Sequence, residues 1–535
     1  MSPRSSSAMP DITRRSLLAG ATAAAGLATT GARTARASTR RAVPVTREEH
    51  RLVIIGSGFG GGVAALRLAQ AGVPSLVLER GIWWPTGPGA TTFPSPSAMD
   101  KRAFWMGLGP EFLGVKVPAH DPYTGLLELV RGDGMNIMCA AGVGGGSLVY
   151  QGMTVQPTRE LFEATMPAGL DYSAMEKTYY PRVARMLKLR TAPDDLINSR
   201  TYLPARIFAR NAERAGYAVS KIPMPIDWTF AQRELRGEMK ASYTNGDCSL
   251  GVNNGGKHTV DVTYVAAAQA TGLVTVATRH NVTDIAQGPR GRWVVHADRI
   301  ATDGTVLEKK IITTRALIMA AGTAGTTRLL MRAAAHERIS GLPTELGTGW
   351  GTNGDRIYVW TNLADDFGAP QGGPVVYGSK EWDDPATANT IIQASLPPLP
   401  ANLRSTMLVG YGISPDRGRF VYDTARDEAV LRWPKGGDAT LFKRLQERGE
   451  KIAGPSSMLL DTNAAVPSTW HPLGGASMGR VCDLAGRVHG HRGLYVLDGA
   501  LMPGTTAACN PSMTIAAIAE RATDRLIAED LATVI

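Results

Sequence analysis

Cysteine is scarce. The 535-residue chain has four, Cys139, Cys248, Cys482 and Cys509. They lie far apart and match no zinc-ligand spacing, so no metal site is expected and buried free thiols are. A disulfide stays open should the protein be exported. No Lys/Arg block is interleaved with aromatic residues, which argues against a nucleic-acid partner. The formal charge of +10 is concentrated at the start: residues 1–37 hold five Arg and one acid, so +4 of it falls there and +6 on the rest. That remainder is mild, leaving weak attraction to an acidic surface as the most it implies. No apolar run reaches about 18 residues, so a membrane-spanning helix is not expected. Long low-complexity stretches are missing after the first forty residues, which excludes disorder for the body of the chain.

Glycine is plentiful, at 60 residues. Tight turns and close backbone approaches follow from that. The length exceeds one ordinary core, so two domains or one large domain of interleaved lobes are expected. The N-terminus reads as an address. Arg14-Arg15 precedes a short Ala/Gly-rich apolar stretch, Leu17 to Ala28, and Ala35-Arg36-Ala37 offers a small-x-small cleavage site. Residues 1–37 are read as a twin-arginine signal peptide, which carries proteins already folded and predicts secretion with the cofactor loaded beforehand.

After it comes a dinucleotide fingerprint. Leu52-Val53-Ile54-Ile55 is apolar and β-branched, as a buried parallel strand should be. Gly56-x-Gly58-Phe59-Gly60-Gly61 follows at once. Gly56 permits the tight turn, Gly58 lets the backbone approach a pyrophosphate, and Gly61 lets the following helix, Val63 to Ala69, pack close. The helix N-terminus faces the phosphate. A second strand, Ser75 to Leu78, ends at Glu79, an acid placed for ribose hydroxyls. This segment alone does not separate FAD from NAD.

Later segments do. They are Gly142-Val143-Gly144-Gly145-Gly146-Ser147, Trp470-His471-Pro472-Leu473-Gly474-Gly475, Asp498 to Gly504 after the apolar run Leu494 to Leu497, and Asn510-Pro511 before a helical run, Met513 to Ile527. With the fingerprint and Gly418 to Asp423 (GRFVYD), their order resembles the glucose–methanol–choline oxidoreductase family, and within it the bacterial cholesterol oxidases with noncovalent FAD. The resemblance runs from about Leu52 to Asp530. It implies an α/β fold: a doubly wound, Rossmann-like FAD domain from residues 44–155, 255–345 and 465–535, and an α+β substrate lobe with a mixed sheet from 156–254 and 346–464. Gly322-Thr323-Ala324-Gly325 after Ala316 to Met319 reads independently as a further βα turn, and Leu273 to Thr278 as a strand. By motif position the resemblance assigns FAD contacts to Phe59, Gly60, Glu79, Gly146, Met153, Val282, Asp498, Asn510 and Pro511, beside Gly56, Gly58 and Gly61. Family members usually continue the second glycine segment with Asn-Gly-Gly-Met. Here it runs Tyr150-Gln151-Gly152-Met153, so Met153 matches and the two bulkier residues depart.

Alcohol oxidation removes a hydroxyl proton and a carbon-bound hydride. His471 is the candidate base or orienting group, since its side chain titrates near neutrality. Asn510 matches the second polar residue of the family's catalytic pair. Molecular oxygen is the expected acceptor and peroxide the product. Cholesterol oxidases use a Glu to isomerise the steroid double bond. Counted back without gaps from Arg417, that position falls on Gln393, which has no basic form, and no acid lies between Thr387 and Asp416. Oxidation without isomerisation is therefore expected. A sugar-like or secondary-metabolite alcohol competes with a sterol as substrate, with Trp470 and Trp83-Trp84 suited to either. A sterol would bring loose membrane-surface contact. The rivals are a dehydrogenase with another acceptor, a non-catalytic flavin-binding protein and an NAD enzyme, the last sharing only the fingerprint. Oligomeric state is not legible.

Overall fold

The structure is a computed structural model describing residues 42–107, 111–112, 115–116, 120–398, 401–464 and 466–535. The signal expected at residues 1–37 lies outside them.

The fingerprint folds as a strand–helix–strand unit. β1 spans Val45–Ile55, α1 Phe59–Gln70 and β2 Ser75–Glu79. Exposure along β1 alternates over its first seven residues, and its last four are all buried. The change marks where the strand enters a sheet covered on both faces, as a continuous apolar run requires. β2 pairs parallel to β1, and Val274–Thr278 pairs parallel to β2. On the other side, β1 pairs parallel to the 14-residue strand Val306–Met319. That strand is shared. Its first part carries Trp293–Ile300 antiparallel, and Leu317 to Met319 carry Leu494–Val496 parallel. His280–Gln287 completes a seven-stranded sheet of mixed direction. Helix Gly322–Ala335 follows the shared strand, as the Gly-Thr-Ala-Gly turn predicts.

α1 packs against the C-terminal helix, Pro511–Glu529. The contact includes a buried carboxylate, Glu520, which receives Arg67 at 3.2 Å, Arg182 at 2.9 Å and the Tyr264 hydroxyl at 3.0 Å. Removing one partner of such a buried pair typically costs about 3–5 kcal/mol.

A second sheet has six strands in the order Ser457–Asp461, Arg356–Asn362, Ser405–Gly412, Asn389–Ala394, Tyr377–Glu381, Ser220–Lys221. Each neighbouring pair runs antiparallel. Mixed pairing belongs to the first sheet. In the second, the chain returns beside itself without the helical crossovers that parallel neighbours need. One face of this sheet, with Tyr358, Trp360, Ile391 and Leu408, is buried with Ile207, Phe208, Leu441 and Leu445 of helices Leu203–Arg214 and Ala439–Ala453. The opposite face looks toward the first sheet.

Residues Val43–Ile535 form one compact unit. The four cysteines are free thiols, with Cys248, Cys482 and Cys509 buried and Cys139 partly so. Among the described residues no helix is long and apolar enough to cross a membrane.

Candidate active site

A cavity of about 810 Å³ lies between the two sheets. Its floor is nearly free of side chains. Gly56, Gly58, Phe59 and Gly60 reach it from the turn after β1, and Gly145 and Gly146 from the second glycine segment. These turns touch: a Cβ on Gly145 would meet the Cα of Gly58 at 2.9 Å, and Gly145 has φ +54°. A Cβ on Gly146 would meet nothing within 4 Å. Gly61 does not line the cavity. A methyl there would meet the carbonyl oxygen of Gly56 at 2.0 Å, so its bareness serves the close packing of α1 on the turn.

Glu79 binds the two glycine segments together. One carboxylate oxygen accepts from the Ser57 hydroxyl at 2.6 Å, the other from the N–H of Gly81 at 2.9 Å and Gly142 at 3.3 Å. It also lines the cavity, as do Val282, Met153, Asp498 and Pro511. Tyr150 and Gln151, the two departures, line it too. Phe59 meets Tyr150 edge to face, with ring centroids 5.5 Å apart. Beneath that segment the Lys257 ammonium donates to the carbonyls of Leu148 and Tyr150, and burial pushes its pKa down to about 7.

Asp498 follows the strand Leu494–Val496, caps the short turn Gly499–Leu501 and lines the site. Thr326 Oγ1 donates to it at 2.5 Å and the Ala500 N–H at 2.9 Å. Burial outweighs those bonds and pushes its carboxyl up to about 6. A raised carboxyl favours the folded state while protonated. Its contribution is present below the unfolded value near 3.8 and is lost as pH rises through about 6. Asp498→Asn lacks that loss. The stability of the variant relative to the parent, from urea unfolding of the flavin-free proteins, is expected to rise between pH 4 and 7 by up to about 3 kcal/mol.

The reacting end holds His471 and Asn510, which line the same cavity. Asn510 caps the C-terminal helix, and Pro511 occupies its first turn. Its Oδ1 accepts from Ser512 Oγ at 2.8 Å, leaving the amide N–H₂ for the cavity. The chain before it is strained: Ala507 and Ala508 have φ +61° and +57°, unusual for residues with a Cβ. The stretch Gly351–Asp355 fastens both active segments. Gly351 exchanges backbone hydrogen bonds with Leu473 at 2.8 and 3.0 Å. Asn353 donates to the Cys509 carbonyl at 2.7 Å and accepts from Thr506 N–H at 2.9 Å. Asp355 accepts from Thr469 Oγ1 at 2.7 Å and Trp470 N–H at 2.9 Å. Asp355 Oδ2 also lies 3.5 Å from His471 Nδ1, which is buried without a hydrogen-bond partner. Burial lowers the pKa of His471 and the Asp355 carboxylate opposes it; Asp355 itself is raised by burial. Tyr411 meets the imidazole edge to face, with centroids 6.0 Å apart.

The second sheet roofs the cavity with Ile357, Ile392, Ala394, Met407 and Val409. Cross-strand register puts them on one face: Ile392 opposes Val409, Ala394 opposes Met407, and Ile357 opposes Val409. Gln393 is not on that face. Strand alternation sends it to the opposite side with its partner Leu408. There it is 1% exposed and donates to Thr406 Oγ1 at 3.0 Å. The roof position nearest the counted-back register is thus apolar, and Gln393 is not brought together with His471 and Asn510. Sequence reading missed Asp355, Tyr411 and the Gly351–Asp355 fastening. The one available signal was the polar turn Thr352-Asn353-Gly354-Asp355 between apolar stretches, with nothing in it to name a partner more than a hundred residues away.

The bare glycine floor fits an extended dinucleotide, because the cavity there is open where side chains would otherwise stand. Comparison with known proteins agrees with that arrangement. The GMC oxidoreductase family matches in two parts, over residues 19–349 and 438–519. A cholesterol oxidase of Mycobacterium tuberculosis (strain ATCC 25618 / H37Rv) is 25% identical, covering 89% of this chain and 91% of its own. A cholesterol oxidase of Acinetobacter baumannii is 23% identical over 89% and 94%. Among solved structures, pyridoxine 4-oxidase from Mesorbium loti aligns with a TM-score of 0.63 at 15% identity, over 89% of this chain and 99% of that one. A fungal aryl-alcohol oxidase aligns at 0.59 and 14%, over 91% and 100%. These two speak to the fold alone. With well over half of its length matched to the family, this chain is a member of the GMC oxidoreductases.

Proposed function

We propose that the protein is an FAD-dependent alcohol oxidase that acts on apolar alcohols, reduces oxygen to peroxide and is exported through the twin-arginine route. FAD is the cofactor of the family, and when bound it supplies the hydride acceptor. In this reading residues 44–155, 255–345 and 465–535 hold the cofactor, and 156–254 with 346–464 shape the substrate space. The observation that carries it is one cavity with the glycine floor on one side and His471 and Asn510 on the other. Gly56, Gly58, Gly60 and Gly146 would hold the pyrophosphate region, and Glu79 and Val282 the adenosine. Asn510 would orient the substrate oxygen with its free N–H₂. His471, kept neutral by burial, would take the hydroxyl proton.

The roof points to an apolar substrate, since Ile357, Ile392, Ala394, Met407 and Val409 offer no hydrogen bond to a sugar hydroxyl. A polar substrate there would lose its hydration without compensation. The roof also lacks a base for isomerisation. The acids that line the cavity elsewhere are engaged: Glu79, Asp355 and Asp498 as described, Glu128 by Arg80, Asp427 by Arg332 and Glu428 by Arg328.

Purified protein is expected to be yellow and to bleach anaerobically with an apolar alcohol. On admission of air it should form peroxide; dye reduction without peroxide would mean a dehydrogenase. A sterol should give the ketone with its double bond unmoved, read from the absence of conjugated-enone absorbance. No bleaching across sterol, aryl, aliphatic and sugar alcohols would refute the reading.

A further inference from the structure

We propose that Asp355 is a positioning residue that acts through His471, holding the imidazole with Nδ1–H toward its carboxylate and leaving Nε2 as the proton acceptor. This rests on the reading of His471 as the base and assigns how that base is prepared.

The geometry is specific. Asp355 is buried and lines the cavity. Both of its oxygens accept a hydrogen bond, Oδ1 from Thr469 Oγ1 and Oδ2 from Trp470 N–H. Thr469 Oγ1 in turn accepts from the His471 N–H at 3.0 Å, so carboxylate, hydroxyl and histidine backbone form one chain. The carboxylate therefore cannot drift from the ring. His471 Nδ1 is the one unsatisfied ring nitrogen buried there, and Asp355 Oδ2 is 3.5 Å from it. A small rotation of the ring turns that approach into a hydrogen bond.

Few other charged groups bear on the pair. Asp355 is the charged group that bears on His471, and Tyr411 presents a phenol whose burial keeps it neutral. Arg356 is the other charged neighbour of Asp355. Its guanidinium is stacked over the Phe442 ring and lies 3.8 Å from Asp461, and its charge favours the ionised form of Asp355.

The tautomer follows. A neutral imidazole has one donor and one acceptor nitrogen, and a carboxylate beside Nδ1 selects the form protonated there. Nε2 then carries the free lone pair. When substrate reacts, its O–H bond would break with the proton bonding to Nε2, and a bound flavin would supply the acceptor for the carbon-bound hydride. The imidazolium so formed has its charge balanced by Asp355 across the ring. The same arrangement of acid, imidazole and reacting group recurs on unrelated folds.

The test uses holoenzyme and two variants, Asp355→Asn and Thr469→Val. The first removes the charge at nearly constant shape. The second removes only the hydroxyl that holds the carboxylate. Two quantities are followed against pH: the rate of anaerobic flavin reduction by an apolar alcohol, and the His471 ring signal in histidine-labelled protein, identified by its loss in His471→Ala. Loss of the anion removes stabilisation of the imidazolium, so the His471 transition in Asp355→Asn should move to lower pH by about 1–3 units. The rate plateau above it should fall at least about tenfold. Thr469→Val should shift the same transition in the same direction by less. Both variants keeping the parent's transition would overturn the proposal. Should no alcohol reduce the parent flavin, the functional reading fails by itself, and the ring signal still decides whether Asp355 governs His471.

Discussion

His471→Ala is expected to slow reduction of the bound flavin by about 10²–10⁴-fold, the usual contribution of a positioned acid or base. The cause is local. The imidazole lies in the cavity with its side chain 20% exposed, and among the described residues its ring nitrogens make no hydrogen bond that holds another element in place. Removing it therefore leaves the floor, the roof and the Gly351–Asp355 fastening intact. Flavin content and unfolding midpoint should stay near the parent's while the reductive rate falls, which separates chemistry from folding. The pH profile has a definite sign. His471 accepts a proton only when neutral, so the parent rate should rise with pH through a transition below the ordinary histidine value, because burial lowers it. The alanine variant should lose that transition. A variant reduced as fast as the parent would remove His471 from the reaction.

Gly60→Ala should abolish soluble flavoprotein. A methyl at this position would stand 1.9 Å from the Leu497 carbonyl oxygen. Neither side can yield, since Gly60 lies in the first turn of α1 and Leu497 donates its own N–H to Met319 of the shared strand. Backbone forced against backbone belongs among the rare changes costing more than about 4 kcal/mol. Gly58→Ala gives the contrast. Its new methyl would have the Cα of Gly145 as nearest neighbour, at 3.8 Å, an ordinary contact, and Gly58 has φ −71°, open to any residue. That methyl would stand in the cavity where the proposed dinucleotide would lie. The flavin-free variant should unfold as the parent does in urea, yet bind FAD more weakly by about 1–3 kcal/mol. Equal behaviour of the two alanine variants would show that the turn's glycines do not divide between packing and ligand approach.

The β1–α1–β2 unit was legible because every signal in it is local. The strand, glycines, helix and acid fall within 30 residues, although the backbone that crowds Gly56 and Gly60, at Ala320 and Leu497, comes from far along the chain. His471, Asn510 and Asp498 were legible from motif order alone, and the fold brings them to the same cavity. Gln393 shows where counting along the chain stops working. Strand Asn389–Ala394 is buried at all six positions, so no alternation of polar and apolar residues says which face each residue takes. Counting without gaps fixes a number but not a face, and a slip of one residue reverses it. Asp355 was illegible for a different reason. Its partners, Thr469 and Trp470, are 114 and 115 residues away, and a buried carboxylate in a turn looks like any surface Asp until the turn is placed.

The shared strand Val306–Met319 also sets the order in which the protein can be made. Besides the adjacent Trp293–Ile300, its neighbours are β1, more than 250 residues earlier, and Leu494–Val496, almost 180 later. During synthesis the emerging chain can form β1, α1 and β2 but cannot close the sheet or supply Asp498, Asn510 and the helix Pro511–Glu529 until residues 494–529 have left the ribosome. Non-local pairing of this kind slows folding and leaves strand edges open to wrong partners. In the proposed reading the cofactor can therefore be gripped only after residues 494–529 have been made. A chain cut short by a few dozen residues at its C-terminus should be an aggregating polypeptide rather than a weaker enzyme.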